Sequence, residues 1–157
     1  MYQKINHNIE SQKAQQIASI SNGDLNHAQR LIQEVEDDKH KMFQDWMRMC
    51  FAGNHALMVE QADEFSKSSK INQKGLFQYG LSILRDSLLL QHNASGILNL
   101  ADIEKTFAVK FSKTIELVQL EKLYMLMNSA FYHLERNGNP KIIFLDTSLQ
   151  ITSTFKS

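Results

Sequence analysis

Apolar residues recur at helical spacing along almost the whole of this 157-residue chain, and no useful length of it alternates apolar and polar residues as a strand would. That pattern confines the fold to the all-α class. The strongest segment runs from about Asn72 to His92. Phe77, Leu81, Leu84 and Leu88 form one stripe there, and Leu76, Gly80, Ile83, Ser87 and Leu90 form a second. A doubly striped helix belongs at the centre of a bundle. Gly80 costs roughly 1 kcal/mol against alanine in a helix interior, so its presence predicts the close approach of a neighbouring backbone.

The end of the chain carries the sharpest punctuation. A helix arriving through Leu120, Leu123, Met127, Phe131 and Leu134 meets Asn137-Gly138-Asn139-Pro140, which holds the only proline. Gly138 is expected to take the positive φ that ends a helix, Asn139 to cap the next one, and Pro140 to sit at its first position, where a missing N–H costs nothing. The last helix is apolar on two sides, with Ile142, Leu145 and Leu149 on one and Phe144, Ile151 and Phe155 on the other. So wide an apolar surface must be buried against the domain itself, a partner chain, or both.

Upstream, Ser11 to Ile20 reads as a short helix. Asp24 is placed to cap a second one through Leu25, Ala28, Leu31, Ile32 and Val35. Asp37-Asp38 is read as a seam, because acidic residues suit a helix start. Beyond it Phe43, Trp46, Met47 and Cys50 fall at i, i+3, i+4 and i+7, and Gly53-Asn54 closes that helix. Asn54 then caps a helix through Leu57, Met58, Ala62 and Phe65. Residues 67–70 read as a polar loop, Asn93 to Gly96 as a break, and Leu100 to Phe111 as a shorter helix. The expected architecture is a helical bundle over residues 38–157, preceded by a short two-helix segment within 1–37.

Composition limits function. Apolar residues are 43% and charged ones 22%, as in a globular domain, and Lys plus Arg balances Asp plus Glu at 17 each. A nucleic-acid-binding module usually carries a basic excess. Without a signal peptide or a long apolar run, the expected compartment is the cytoplasm. No phosphate-cradling glycine loop, paired-cysteine or His-Glu-x-x-His spacing occurs. The six histidines include no pair at i, i+3 or i+4, so no catalytic residue, metal ligand or cofactor contact is assigned. Cys50, between Met49 and Phe51, is expected to be a buried thiol rather than a nucleophile. Glu34, Glu36, Asp37 and Asp38 read as a charged helix boundary, and Lys67, Lys70 and Lys74 as a solvated strip. Asn93-Ala94-Ser95 matches a glycosylation acceptor, which means nothing in the cytoplasm.

The order of segments resembles the C-terminal part of the delta-prime subunits of bacterial DNA polymerase III, of the type found in Bacteroidetes. The residues that carry the resemblance begin with Ile20-Ser21-Asn22-Gly23-Asp24-Leu25 and His27-Ala28-Gln29-Arg30-Leu31. They continue with Phe43-Gln44-Asp45-Trp46-Met47-Arg48-Met49-Cys50-Phe51, Gln73-Lys74, Leu76-Phe77-Gln78-Tyr79 and Leu84-Arg85-Asp86-Ser87-Leu88-Leu89. They end with His133 to Lys141 and Phe144-Leu145-Asp146. In such clamp loaders an ATPase-type domain is followed by a small helical lid and then by a collar. The collars of five subunits form a ring that holds the complex together while it opens a sliding clamp and places it on primed DNA.

The resemblance implies that residues 1–37 are the end of the lid and 38–157 the collar, with the nucleotide-binding core upstream. It also implies a non-catalytic role without a cofactor. The partners would be the gamma/tau and delta subunits, and sliding clamp and DNA would be met only through the complex. ATP-hydrolysing relatives carry an arginine where this chain has Asn26, just after Leu25, while Arg30 lies one turn on. That departure resembles delta-prime more than gamma/tau. Arg85, Phe144, Ile151 and Phe155 are the expected contacts to neighbouring subunits. The alternative is a freestanding helical adaptor without a replication role. A small helical enzyme would instead need a convergent polar pocket.

Overall fold

The computed structural model describes residues 25–92 and 102–157, without the side chains of Leu25, Gln33, Glu36, Asp37, Asp102 and Ile103. Among the described residues every regular element is an α-helix. They are α1 (Leu25–Ala52), α2 (His55–Lys67), α3 (Lys70–Gln91), α4 (Asp102–Thr114), α5 (Leu117–Glu135) and α6 (Pro140–Lys156). The all-α expectation holds. The expected helix over 11–20, the Asp24 cap, the Asn93–Gly96 break and the Asn93-Ala94-Ser95 triplet lie outside the described residues.

Asp37-Asp38 is not a helix break. α1 runs unbroken through it from Leu25 to Ala52. Aspartate is a mediocre helix former but neither removes an N–H nor frees the backbone, as proline and glycine do. The chain divides into two compact units, Met1–Lys41 and Met42–Ser157, with the division falling inside α1. The hydrophobic core, from Phe43 to Ile151, lies wholly within the second unit.

In that unit α3 packs on α4 and α5, and α6 packs on α2 and α5. α3 is thus central, as its double stripe requires: Leu76, Phe77, Tyr79, Ile83 and Leu84 are all buried. The interior is built around aromatic rings. Trp46 stacks on Phe144 at 4.9 Å, and Phe144 stacks on Phe65 at 4.8 Å. Phe77 meets both Trp46 and Phe65 edge-on. Such pairs add about 0.5–1.5 kcal/mol each beyond the area they bury. Phe43, Trp46, Met47 and Cys50, the helical stripe of α1, are all buried.

Helix ends follow local chemistry. Gly53 takes φ 71, and its N–H reaches the Met49 and Cys50 carbonyls at 3.0 and 3.2 Å. Asn54 Oδ1 accepts the Leu57 N–H at 3.1 Å, and Asn139 Oδ1 accepts that of Ile142 at 3.2 Å. Pro140 opens α6 as expected. The positive φ at the second joint belongs to Asn137 (φ 63) and not to Gly138. The Gly138 N–H bonds the His133 carbonyl at 2.9 Å, and the Asn137 N–H bonds that of Leu134 at 3.1 Å. This is the paired closure in which the left-handed residue comes first, a position asparagine tolerates. Gly138 is needed for space instead. A Cβ there would lie 2.7 Å from Ile143 Cδ1 and 2.9 Å from the His133 oxygen.

The polar loop shrinks to Ser68 and Ser69, because α2 runs through Lys67 and α3 starts at Lys70 with Ser69 as its cap. The buried side chain of Gln73 makes so short a link workable. Its Nε2 donates to the carbonyls of Phe65 and Ser68 at 3.0 Å each. Gln91 does the same for the end of α4, donating to Ser112 and Ile115 at 2.6 Å. Gln119 donates to Thr154 at 3.1 Å near the end of α6.

Candidate functional site

The two apolar sides of α6 have different fates, although Leu145, from the side of Ile142 and Leu149, is half-buried and packs against the core. Phe144 and Ile151 are 4% and 0% exposed and lie in the core. Ile142 and Leu149 are 64% and 42% exposed. Polar groups on the inner side anchor that choice. The Trp46 indole N–H donates to Ser148 Oγ at 2.8 Å, and Ser148 in turn donates to the Phe144 carbonyl at 2.7 Å. Thr152 Oγ1 donates to the Cys50 carbonyl at 2.8 Å. Three small hydroxyl residues, Thr147, Ser148 and Thr152, let α6 lie close under the aromatic rings while keeping buried polar groups paired.

Of the four residues expected to contact neighbours, Phe144 and Ile151 therefore serve the chain's own interior. Phe155 is half-buried, with its ring 5.6 Å from that of Phe51 and 6.5 Å from that of Phe111. Arg85 is exposed, and its guanidinium lies 3.8 Å from the Asp86 carboxylate. The structure does not gather these four into one surface. Asp86 itself is buried, and burial raises its carboxyl above the usual value, partly offset by the charge of Arg85.

The accessible apolar surface lies elsewhere. Val118, Met125 and Tyr132 on α5 are 72%, 70% and 50% exposed, and fall every seventh residue on one face. Ile142 and Leu149 repeat that spacing on α6. Phe51, also exposed, stands in the last turn of α1. A groove of about 720 Å³ lies between the second half of α1 and α2. Met42, Trp46, Met49, Leu57 and Phe65 line it, with the exposed side chains of Asp45, Arg48, Gln61 and Glu64 also on its walls. Its floor is carbon, which offers van der Waals contact rather than acid–base chemistry.

The remaining chemical candidates resolve as structural groups. Cys50 is fully buried, and burial pushes its thiol up to about 12 against the smaller opposite pull of the Ser148 and Thr152 hydroxyls. A thiol so protonated is no nucleophile at neutral pH. The basic strip is dispersed: Lys67 pairs with Asp63 at 3.6 Å and Glu64 at 3.9 Å, and Lys70 reaches the side chain of Asn137. Asn26 and Arg30 are both exposed on the first turns of α1. Among the described residues no three His, Cys, Asp or Glu side chains converge as metal ligands would, and no helix is long and apolar enough to cross a membrane.

Burial order was invisible in the sequence for α6, because both of its sides are equally apolar there. The glutamine caps were missed for another reason, since a glutamine in a helix carries no local sign of the distant carbonyl it will meet. Compared with known proteins, the chain matches no family model, no curated protein and no solved structure.

Proposed function

We propose that this chain is an assembly module: the lid end and collar of a delta-prime clamp-loader subunit, which joins gamma/tau and delta collars in the ring that loads sliding clamps during DNA replication. The family part of this reading rests on the sequence resemblance. The observation that carries the assembly part is the outward side of α6, where Ile142 and Leu149 stay exposed although the core next to them is closed. Protein–protein contacts draw their energy from a few well-placed apolar anchors and need no net charge, which suits a chain with formal charge zero. The anchors are thus Ile142 and Leu149 in place of the buried Phe144 and Ile151, and the half-buried Phe155 and the exposed Arg85 stay as separate candidate contacts.

The test mixes the full chain with purified gamma/tau and delta collars at micromolar concentration. Co-migration is expected for the parent chain and is lost in Ile142→Asp/Leu149→Asp, whose melting temperature stays near that of the parent because both sites are exposed. Failure to co-migrate, or tight binding of ATP by the chain alone, overturns the reading.

A further inference from the structure

We infer that the groove between α1 and α2 receives an amphipathic helix of a partner protein, acidic in its first turn and basic in its last, lying antiparallel to α1. This rests on the groove alone and is independent of the clamp-loader reading.

The groove exists because an aromatic ring holds its walls apart. α1 and α2 leave their joint at Gly53-Asn54, and the Phe144 ring of α6 is stacked between Trp46 of α1 at 4.9 Å and Phe65 of α2 at 4.8 Å. All three rings are more than nine-tenths buried, so the core fixes their spacing. The channel of about 720 Å³ that they line runs along α1 from Ala52 to Met42. At 1.5 Å per residue that stretch is roughly 15 Å, about three turns of helix.

Floor and rims differ in chemistry. The polar atoms low in the groove are engaged within the chain: the Trp46 N–H by Ser148, the Ser68 hydroxyl by the Phe65 carbonyl, and Asn54 Oδ1 by the Leu57 N–H. Met42, Met49 and Leu57 add apolar side chains, and the two thioethers adjust readily to an inserted one. The charges stand on the exposed rims. Among the described residues Asp45 and Arg48 enter no ion pair, and Glu64 reaches only Lys67, at 3.9 Å. A small apolar molecule on the floor would leave those charges unmatched. A helix, about 10 Å across with its side chains, touches floor and rims at once.

The order of the charges sets the direction. Arg48 lies five residues before Gly53 and Asp45 eight, while Glu64 lies ten after Asn54. The groove is therefore positive nearer the joint and negative on both rims farther out. A helix that starts by the joint brings an acidic first turn to Arg48 and a basic last turn to Asp45 and Glu64. That distribution is also the one its own dipole favours. It then runs parallel to α2 and antiparallel to α1. Laid the other way, it would set like charges against each other.

Trp46, the only tryptophan, lines the groove and reports occupancy by its fluorescence, as the Met42 methyl does by NMR. The probes are two synthetic peptides of one composition, with leucines at helical spacing and no aromatic residue. One carries glutamates in its first turn and lysines in its last, and the other the reverse. The first is expected to shift both signals of the full chain with a dissociation constant of about 100 μM, and the second to bind about fivefold or more weakly. In Asp45→Lys/Arg48→Glu/Glu64→Lys the preference should invert with the melting temperature kept, because all three sites are exposed. Equal binding of the two peptides, or a preference that does not invert, overturns the inference. So does the silence of both signals at about 1 mM peptide. A Met42 shift on concentrating the chain alone would give the groove to a second copy, and occupancy by laurate but neither peptide would give it to a small amphiphile; either result overturns the inference.

Discussion

Phe43 fills the space that a side chain at residue 80 would occupy. A Cβ there would lie 2.8 Å from Phe43 Cε2 and 3.4 Å from the Met127 methyl carbon. The expected close approach at Gly80 is real, but a ring makes it, not a backbone. Phe43 is fully buried and edge-packed on Trp46, Tyr79 and Phe107, so it cannot swing away. Gly80→Ala should therefore destabilise the chain by about 1–3 kcal/mol, although propensity alone favours alanine by roughly 1 kcal/mol. In a Phe43→Leu background the same substitution should cost less, and urea unfolding of the four chains measures the difference. Additive costs would mean that the ring is not the obstacle.

At the scale of elements, two kinds of helix end coexist. Those at Gly53-Asn54 and Asn139-Pro140 use residues within four positions of one another, and they are legible in the sequence for that reason. Those completed by Gln73, Gln91 and Gln119 borrow an amide from another helix. The pairing of α2 with α6 has an electrostatic component as well. Asp63 lies 3.4 Å from Lys141 and 3.6 Å from Lys67, and its bond and charge interaction with Lys141, then the charge of Lys67, hold its carboxyl below the ordinary value of 3.8. A depressed carboxyl contributes stability above its unfolded value and loses it as pH falls through the folded one. The parent chain should hence melt above Asp63→Asn at neutral pH, with the gap closing below about pH 4. A gap that stays constant down to pH 2 would refute the coupling.

For the unit Met42–Ser157 as a whole, Cys50 is a built-in reporter. It is fully buried between α1 and α6, with its carbonyl tied to Thr152. A thiol at about 12 is ionised to about one part in ten thousand at pH 8, while an ordinary cysteine is roughly a quarter ionised. Labelling by a thiol reagent at pH 8 should be at least about a hundredfold slower in the folded chain than in urea. Its rate should rise in any variant that loosens α6, such as Trp46→Phe, which removes the indole donor from Ser148. Rapid labelling of the folded parent would contradict the packing of α6 on α1.

The amino-acid sequence alone determines that this chain is helical, where most of its helices start and stop, and which stripes of α1 and α3 go inside. Those features depend on helical period and on side chains that bond their own backbone a few residues away, so they are written locally. Tertiary structure alone decides which apolar side of α6 is buried, because Phe144 and Ile151 compete there with Ile142 and Leu149 on equal hydrophobic terms. The outcome turns on Ser148 and Thr152 meeting Trp46 and Cys50, which stand 102 positions away in the chain. It also decides that α1 continues through Asp37-Asp38, since aspartate leaves the backbone bonds of a helix intact. The residues left outside, above all Ile142 and Leu149 on α6 and Met42 on α1, are apolar surface that only the packed chain identifies as available to a partner.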